Sequence, residues 1–116
     1  MQVGARASTY ENLKCVECAT AIKNYLLSQN IRGKRIKLFT GTTIGRSSYI
    51  YDDSVPGDPI SSNGRHEGIA IFINAVEIVF DNHHHDGITR SEWMNNLLFY
   101  GKLHYGEQFQ VTEEEF

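Results

Sequence analysis

The sequence is poor in the features that mark several common protein classes. Its two cysteines, Cys15 and Cys18, stand three positions apart. That is no disulfide framework of the kind that staples small secreted domains. No apolar run approaches the roughly 18 residues of a membrane-spanning helix, and Met1 to Tyr10 lacks the basic-then-apolar layout of a secretory signal. Excess positive charge is missing too. With 11 basic and 14 acidic residues the net charge is −3, which offers nothing general to nucleic acid or to an anionic membrane. There are no internal repeats, and both prolines, Pro56 and Pro59, sit in one loop. A soluble protein made in a reducing compartment, cytoplasmic as produced, is the expectation.

What is present is ordinary for a globular chain: 41% hydrophobic and 22% charged residues. At 116 residues the chain suits one domain with a real core, spanning 1–116. Residues 1–10 read as a loose N-terminus and 112–116 as a frayed acidic tail. Cys15, Cys18, Ala19, Ile22, Tyr25, Leu26 and Gln29 form one stripe at three- and four-residue spacing. This predicts an amphipathic helix capped by Asn12 or Thr9 and ending near Asn30, with Gly33 just beyond. Ile36 and Leu38 alternate with Arg35 and Lys37 as a half-buried strand, and Ser48 to Tyr51 is a second, shorter strand candidate. The loop from Asp52 to Gly64 then delivers the chain to His66.

Arg65 to Ile73 and Val76 to Asp81 read as two strands joined by a tight Asn74-Ala75 turn. A two-residue turn pairs Ile73 with Val76, Ile71 with Ile78 and Ile69 with Phe80, and Asp81 then lies opposite Gly68. His66 falls diagonal to Asp81 on the same face, where backbones are roughly 7–8 Å apart. Gly68 puts no side chain between them. Apolar residues on both faces make this hairpin central in its sheet, and the small Ala70–Val79 pair offers a helix somewhere to sit. Asp81 to Gly87 reads as a polar loop. Thr89-Arg90-Ser91-Glu92 is a capping box before a shorter helix through Trp93, Met94, Leu97 and Leu98. Gly101 and Gly106 bracket a turn, and Glu107 to Val111 reads as a last strand. The fold class is α+β: a helix on a mostly antiparallel sheet of four or five strands, plus a short late helix.

A carboxylate beside an imidazole fixes its tautomer and stabilises its charged form, which is half of a catalytic triad. The chain offers Cys15 or Cys18 as the nucleophile. A cysteine acts as its thiolate, which a helix N-terminus and a neighbouring imidazolium both favour. The plainer alternatives are specific as well. Buried cysteines usually just pack, His66 suits the exposed end of a strand, and Asp81 suits a turn. The His83-His84-His85 run is a poor metal site, because adjacent residues in extended chain point in opposite directions. One Cys-x-x-Cys inside a helix is likewise a weak zinc signal. With no apolar strand before it, the pair is weaker still as a redox motif.

The run Cys15-Val16-Glu17-Cys18-Ala19 is followed by Ile31 to Ile36, Ser62-Asn63-Gly64-Arg65-His66-Glu67-Gly68-Ile69-Ala70 and Val79-Phe80-Asp81-Asn82. In that order and spacing the sequence resembles the papain-like superfamily of cysteine peptidases. More closely, from about Asn12 to Phe109, it resembles the papain-fold toxin domains, second type, of bacterial polymorphic toxin systems. Such domains abound in cyanobacteria and commonly end longer proteins.

The resemblance implies a papain-like core and a thiol enzyme acting on peptide or glutamine side-chain amides as peptidase, deamidase or transglutaminase. Cys15 fits the family's nucleophile, with bulky Val16 next and small Ala19 four positions on. Cys18 fits a papain-type Cys-x-x-Cys whose second member is catalytic. The implied catalytic set is Cys15, His66 and Asp81, with Asn82 the neighbouring alternative to Asp81, since papain itself uses asparagine. No cofactor or metal is implied. The implied partners are a protein substrate and a cognate immunity protein, with delivery to another cell as part of a longer toxin. A catalytically silent domain binding a partner through the same cleft is the alternative. The oxyanion-hole glutamine of papain has no counterpart, as Lys14 precedes Cys15. The Cys15 amide and a nearby polar side chain would then have to serve.

Overall fold

A computed structural model describes residues 15–116. The expected caps Thr9 and Asn12 and the loose start 1–10 lie outside the described residues. Helix α1 is described over Cys15–Ser28 and ends by a specific device. Asn30 takes a left-handed conformation, φ 58°. The Ile31 amide then reaches the Leu26 carbonyl at 2.9 Å and the Asn30 amide reaches Leu27 at 3.1 Å, the paired bonds of a Schellman ending. Beyond it come β1 (Lys34–Phe39), a turn of 3-10 helix (Arg46–Ser48), β2 (Ile50–Asp52), β3 (Arg65–Ile73), β4 (Val76–Asp81), β5 (His84–Thr89), α2 (Arg90–Asn96), β6 (Leu97–Phe99), α3 (Tyr100–Tyr105) and β7 (Gln110–Glu115).

The main sheet is antiparallel throughout, in the order β5-β4-β3-β1-β7. The β3–β4 register is the expected one, Ile69 to Phe80, Ile71 to Ile78 and Ile73 to Val76. Its two-residue turn holds Asn74 and Ala75 at φ 52° and 67°, the signs a type I′ hairpin turn needs to match the twist of its strands. Strands β2 and β6 form a separate small ladder.

Alternation along β3 splits the core in two. Ile69, Ile71 and Phe80 point to one face and meet Cys18, Ala19, Ile22 and Leu26 of α1. Ala70 and Val79 point to the other and meet Trp93, Leu97, Phe99, Ile50, Ile60 and Phe109. The helix therefore does not take the small Ala70 face offered to it by the sequence. It takes the large-aliphatic face, where each fully buried Ile or Leu contributes about 1.5–3 kcal/mol. The small face instead receives the Trp93 indole.

Four local expectations change. The polar stretch after Asp81 is not a loop but a second hairpin: Asn82 and His83 turn the chain, and Asp81 pairs with His84. Strand β5 is an edge strand of half-buried residues, so it carries no apolar alternation to detect. The late helix stops at Asn96, and Leu97 and Leu98 belong to β6, against β2. The segment between Gly101 and Gly106 is a short helix ended by Gly106 at φ 66°. The last strand is Gln110–Glu115 rather than 107–111, so the acidic stretch 112–116 that read as frayed pairs with β1 as far as Glu115. Lys34, Lys37 and Arg90 beside Glu113 and Glu114 offset the like charges there.

Candidate active site

His66 is the second residue of β3 and Asp81 the last of β4, diagonal on the same face as the register requires. Both are buried, and His66 Nε2 lies 2.8 Å from Asp81 Oδ2. A carboxylate only accepts, so Nε2 carries the proton and donates. Asp81 is satisfied at every turn. Its Oδ2 also accepts the Trp93 indole N–H at 2.8 Å, and its Oδ1 accepts the backbone amides of His83 at 2.9 Å and His84 at 2.8 Å. Burial works to raise the Asp81 pKa, but His66, the charge of His84 and the Trp93 N–H hold it well below the usual carboxylate range. Asn82, the alternative, lies in the turn after β4.

Trp93 is the residue the sequence placed only in an apolar stripe. Its signal was its indole N–H, because a buried tryptophan normally finds an acceptor. Gly68 makes the arrangement possible. A Cβ there would stand 2.8 Å from Val79 Cγ1 and 3.0 Å from Trp93 Cζ2. The space Gly68 opens between histidine and aspartate is thus occupied by the indole, whose ring lies 5.9 Å from the imidazole.

With Nε2 committed, Nδ1 is the ring atom that remains. It makes no hydrogen bond of standard geometry among the described residues. Cys15 is near enough to the imidazole to act on it. Burial works to lower the His66 pKa, but the bond to Asp81 and then the Cys15 sulfur outweigh it and push it up to about 10. The part of α1 next to Cys15 is clamped to the sheet by Arg35. Its Nε donates to Glu67 Oε1 at 2.6 Å and its Nη2 to the Val16 carbonyl at 3.3 Å. A small cleft of about 100 Å³ opens over Cys15, walled by Val16, Ile60, Ser61, Ser62, Asn63 and Arg65. The segment just before His66 therefore roofs the cysteine.

Cys18, one helical turn further on, is fully enclosed. Burial first, then the charges of Asp81 and Cys15, push its pKa up to about 12, so it stays a protonated core thiol. The three consecutive histidines diverge. The His83 amide binds Asp81, the His84 ring binds Asp52 at 2.7 Å, and the His85 ring binds the Asn82 carbonyl at 2.8 Å. Among the described residues no three His, Cys, Asp or Glu side chains converge as a metal site would need. Nor is any described helix long and apolar enough to cross a membrane.

No curated protein and no solved structure matches the chain. A family described as papain fold toxin 2 matches it over residues 1–98, a span that runs from before the Cys15 helix to within β6. Cysteine on the helix, then histidine and aspartate on adjacent strands, all fall inside that span, and the chain belongs to the papain fold toxin 2 family.

Proposed function

We propose that the protein is a thiol-dependent hydrolase or acyltransferase acting on peptide or glutamine side-chain amides, and that it is the effector domain of a bacterial toxin. The observation that carries this reading is the fully enclosed His66–Asp81 pair, with Cys15 acting on the same imidazole. Such an arrangement stores a proton on the imidazole and leaves the thiol as nucleophile.

In the proposed mechanism the Cys15 thiolate attacks the amide carbonyl carbon. A C–S bond forms and the carbonyl electron pair moves onto oxygen. As the C–N bond breaks, His66 gives its Nδ1 proton to the departing nitrogen and a thioester remains. Neutral His66 then takes a proton from water, whose oxygen displaces the thiolate, or from an amine in transglutamination. Asp81 orients the ring and offsets its charge throughout. The target is a protein, and a cognate immunity protein would block the same cleft.

The test is iodoacetamide alkylation from pH 4 to 9 with the modified cysteine located by mass spectrometry. An ordinary thiol, with its pKa of about 8.5, is barely ionised below pH 6. Cys15 should react fast there and slow markedly in His66→Ala. Rapid reaction at Cys18 would move the nucleophile. If neither cysteine reacts until about pH 8, the catalytic reading fails and a silent binding domain replaces it.

A further inference from the structure

We propose that the Asn63 side-chain amide is the oxyanion donor of this site, taking the place of the glutamine that the sequence lacks. The inference rests on the thiol chemistry proposed above.

Asn63 lines the cleft over Cys15, and the orientation of its amide is fixed. Oδ1 accepts the Ser61 hydroxyl at 2.9 Å and the Arg65 backbone N–H at 3.1 Å. The Arg65 amide can only donate, so the flipped amide, with its NH₂ there, would set donor against donor. The oxygen is thereby held back toward the loop. Nδ2, with two N–H groups, has no hydrogen-bond partner among the described residues. The side chain is exposed, so with its acceptor engaged its donors are left to solvent or to a substrate oxygen entering the cleft over Cys15.

The loop that carries it is rigid, as preorganised stabilisation demands. Ile50 binds Ser61 and Ile60 through backbone bonds of 3.0 and 2.8 Å, and the Thr40 amide binds the Gly64 carbonyl at 2.9 Å. The buried Ser48 hydroxyl lies 2.6 Å from the Gly45 carbonyl and 2.9 Å from the Ser62 carbonyl, its one proton shared between them. Gly64, at φ 78°, passes so close to the Thr42 carbonyl oxygen that a Cβ would lie 2.0 Å from it. Asn63 thus stands on a loop pinned on both sides, three residues before the proposed base. The donor acts when the thiolate adds to the carbonyl carbon and the C=O electron pair settles on oxygen. It has no part in a simple displacement at saturated carbon.

That difference supplies the test. Iodoacetamide alkylates Cys15 by displacing iodide and forms no oxyanion. p-Nitrophenyl acetate acetylates it through a tetrahedral oxyanion, expelling p-nitrophenolate. Asn63→Ala removes the whole amide, whereas Asn63→Asp keeps the acceptor for Ser61 and Arg65 and replaces the donors by an anionic oxygen, so alkylation of each variant is compared with its own acetylation. Both variants should alkylate at Cys15 within a few-fold of the parent at pH 7.5, while acetylation falls by about 10²-fold, the usual loss for one oxyanion donor. Acetylation within twofold of the parent in both would overturn the proposal. So would alkylation falling in step with acetylation, which would mark Asn63 as a structural prop. If the parent itself alkylates only near pH 8, the triad fails and this inference falls with it, a result distinct from the other two.

Discussion

Replacing Trp93 by Phe probes the carboxylate at the centre of the site without substituting any of the three proposed catalytic groups. The change removes the indole N–H from Asp81 Oδ2, a 2.8 Å bond between two buried partners. A hydrogen bond to a charged group contributes about 1.5–3 kcal/mol. The smaller ring also leaves roughly 40 Å³ unfilled, and at about 24 cal/mol per Å³ this adds close to 1 kcal/mol. The expected loss is therefore about 2.5–4 kcal/mol, enough to lower the melting temperature of a chain this size by roughly 10 °C or more. Urea titration measures it directly. A cycle with Asp81→Asn separates the bond from the cavity, since only the bond should couple the two sites. Reactivity should respond differently. Asp81 keeps His66 Nε2 and both backbone amides, so the low-pH alkylation of Cys15 should persist in the folded variant. A loss under about 1 kcal/mol, or no coupling in the cycle, would refute the bond's role. Loss of low-pH reactivity without unfolding would show that the indole also tunes the imidazole.

Three further outcomes are expected. Ala75 sits at φ 67°, where a side chain costs about 1–2 kcal/mol. Ala75→Gly should raise the urea midpoint despite glycine's greater unfolded freedom, and a lower midpoint would contradict the turn assignment. Stability should also depend on pH through the buried pair. The His66 pKa is raised, so its contribution is complete below about 6.5 and is lost as pH climbs toward about 10. Asp81 is depressed, so its share is complete above about 3.9 and fails only in strong acid. Denaturation midpoints should therefore peak between about pH 4 and 6.5 and decline on the alkaline side, and His66→Gln should flatten that decline. Finally, Gly68→Ala forces Val79 and Trp93 to move. It should cost about 1–3 kcal/mol and alter the emission of the single tryptophan. Unchanged emission and stability would mean the indole does not lie against β3.

The hairpin register was legible because two turn residues between apolar runs fix every cross-strand pair. From that register the His66–Asp81 diagonal followed by counting. The helix stripe was equally plain, though not the face it covers. Ala70 and Val79 looked like room for a helix, and periodicity cannot say which of two apolar faces a helix prefers. Strand β5 was illegible because an edge strand beginning with two histidines and an aspartate has no apolar alternation. β7 was hidden in the same way, since glutamates read as solvated tail until β1 supplies the facing cations. Trp93 was misread for a different cause: a helix stripe counts it as grease, and its polar edge matters only once a buried carboxylate is placed beside it.

Asp81 has a consequence for how such a domain could change over generations. Its Oδ1 organises the Asn82-His83 turn while its Oδ2 serves histidine and tryptophan. One residue is thus both hinge-pin of a hairpin and counter-ion of the proposed base, so losing it removes both sets of bonds together. Among the described residues the Cys15 side chain organises no turn of this kind. Drift toward an inert, still-folded descendant has its low-cost exit at the cysteine, and a stray paralogue in which only that residue has changed would keep the same surface for any partner that binds the cleft.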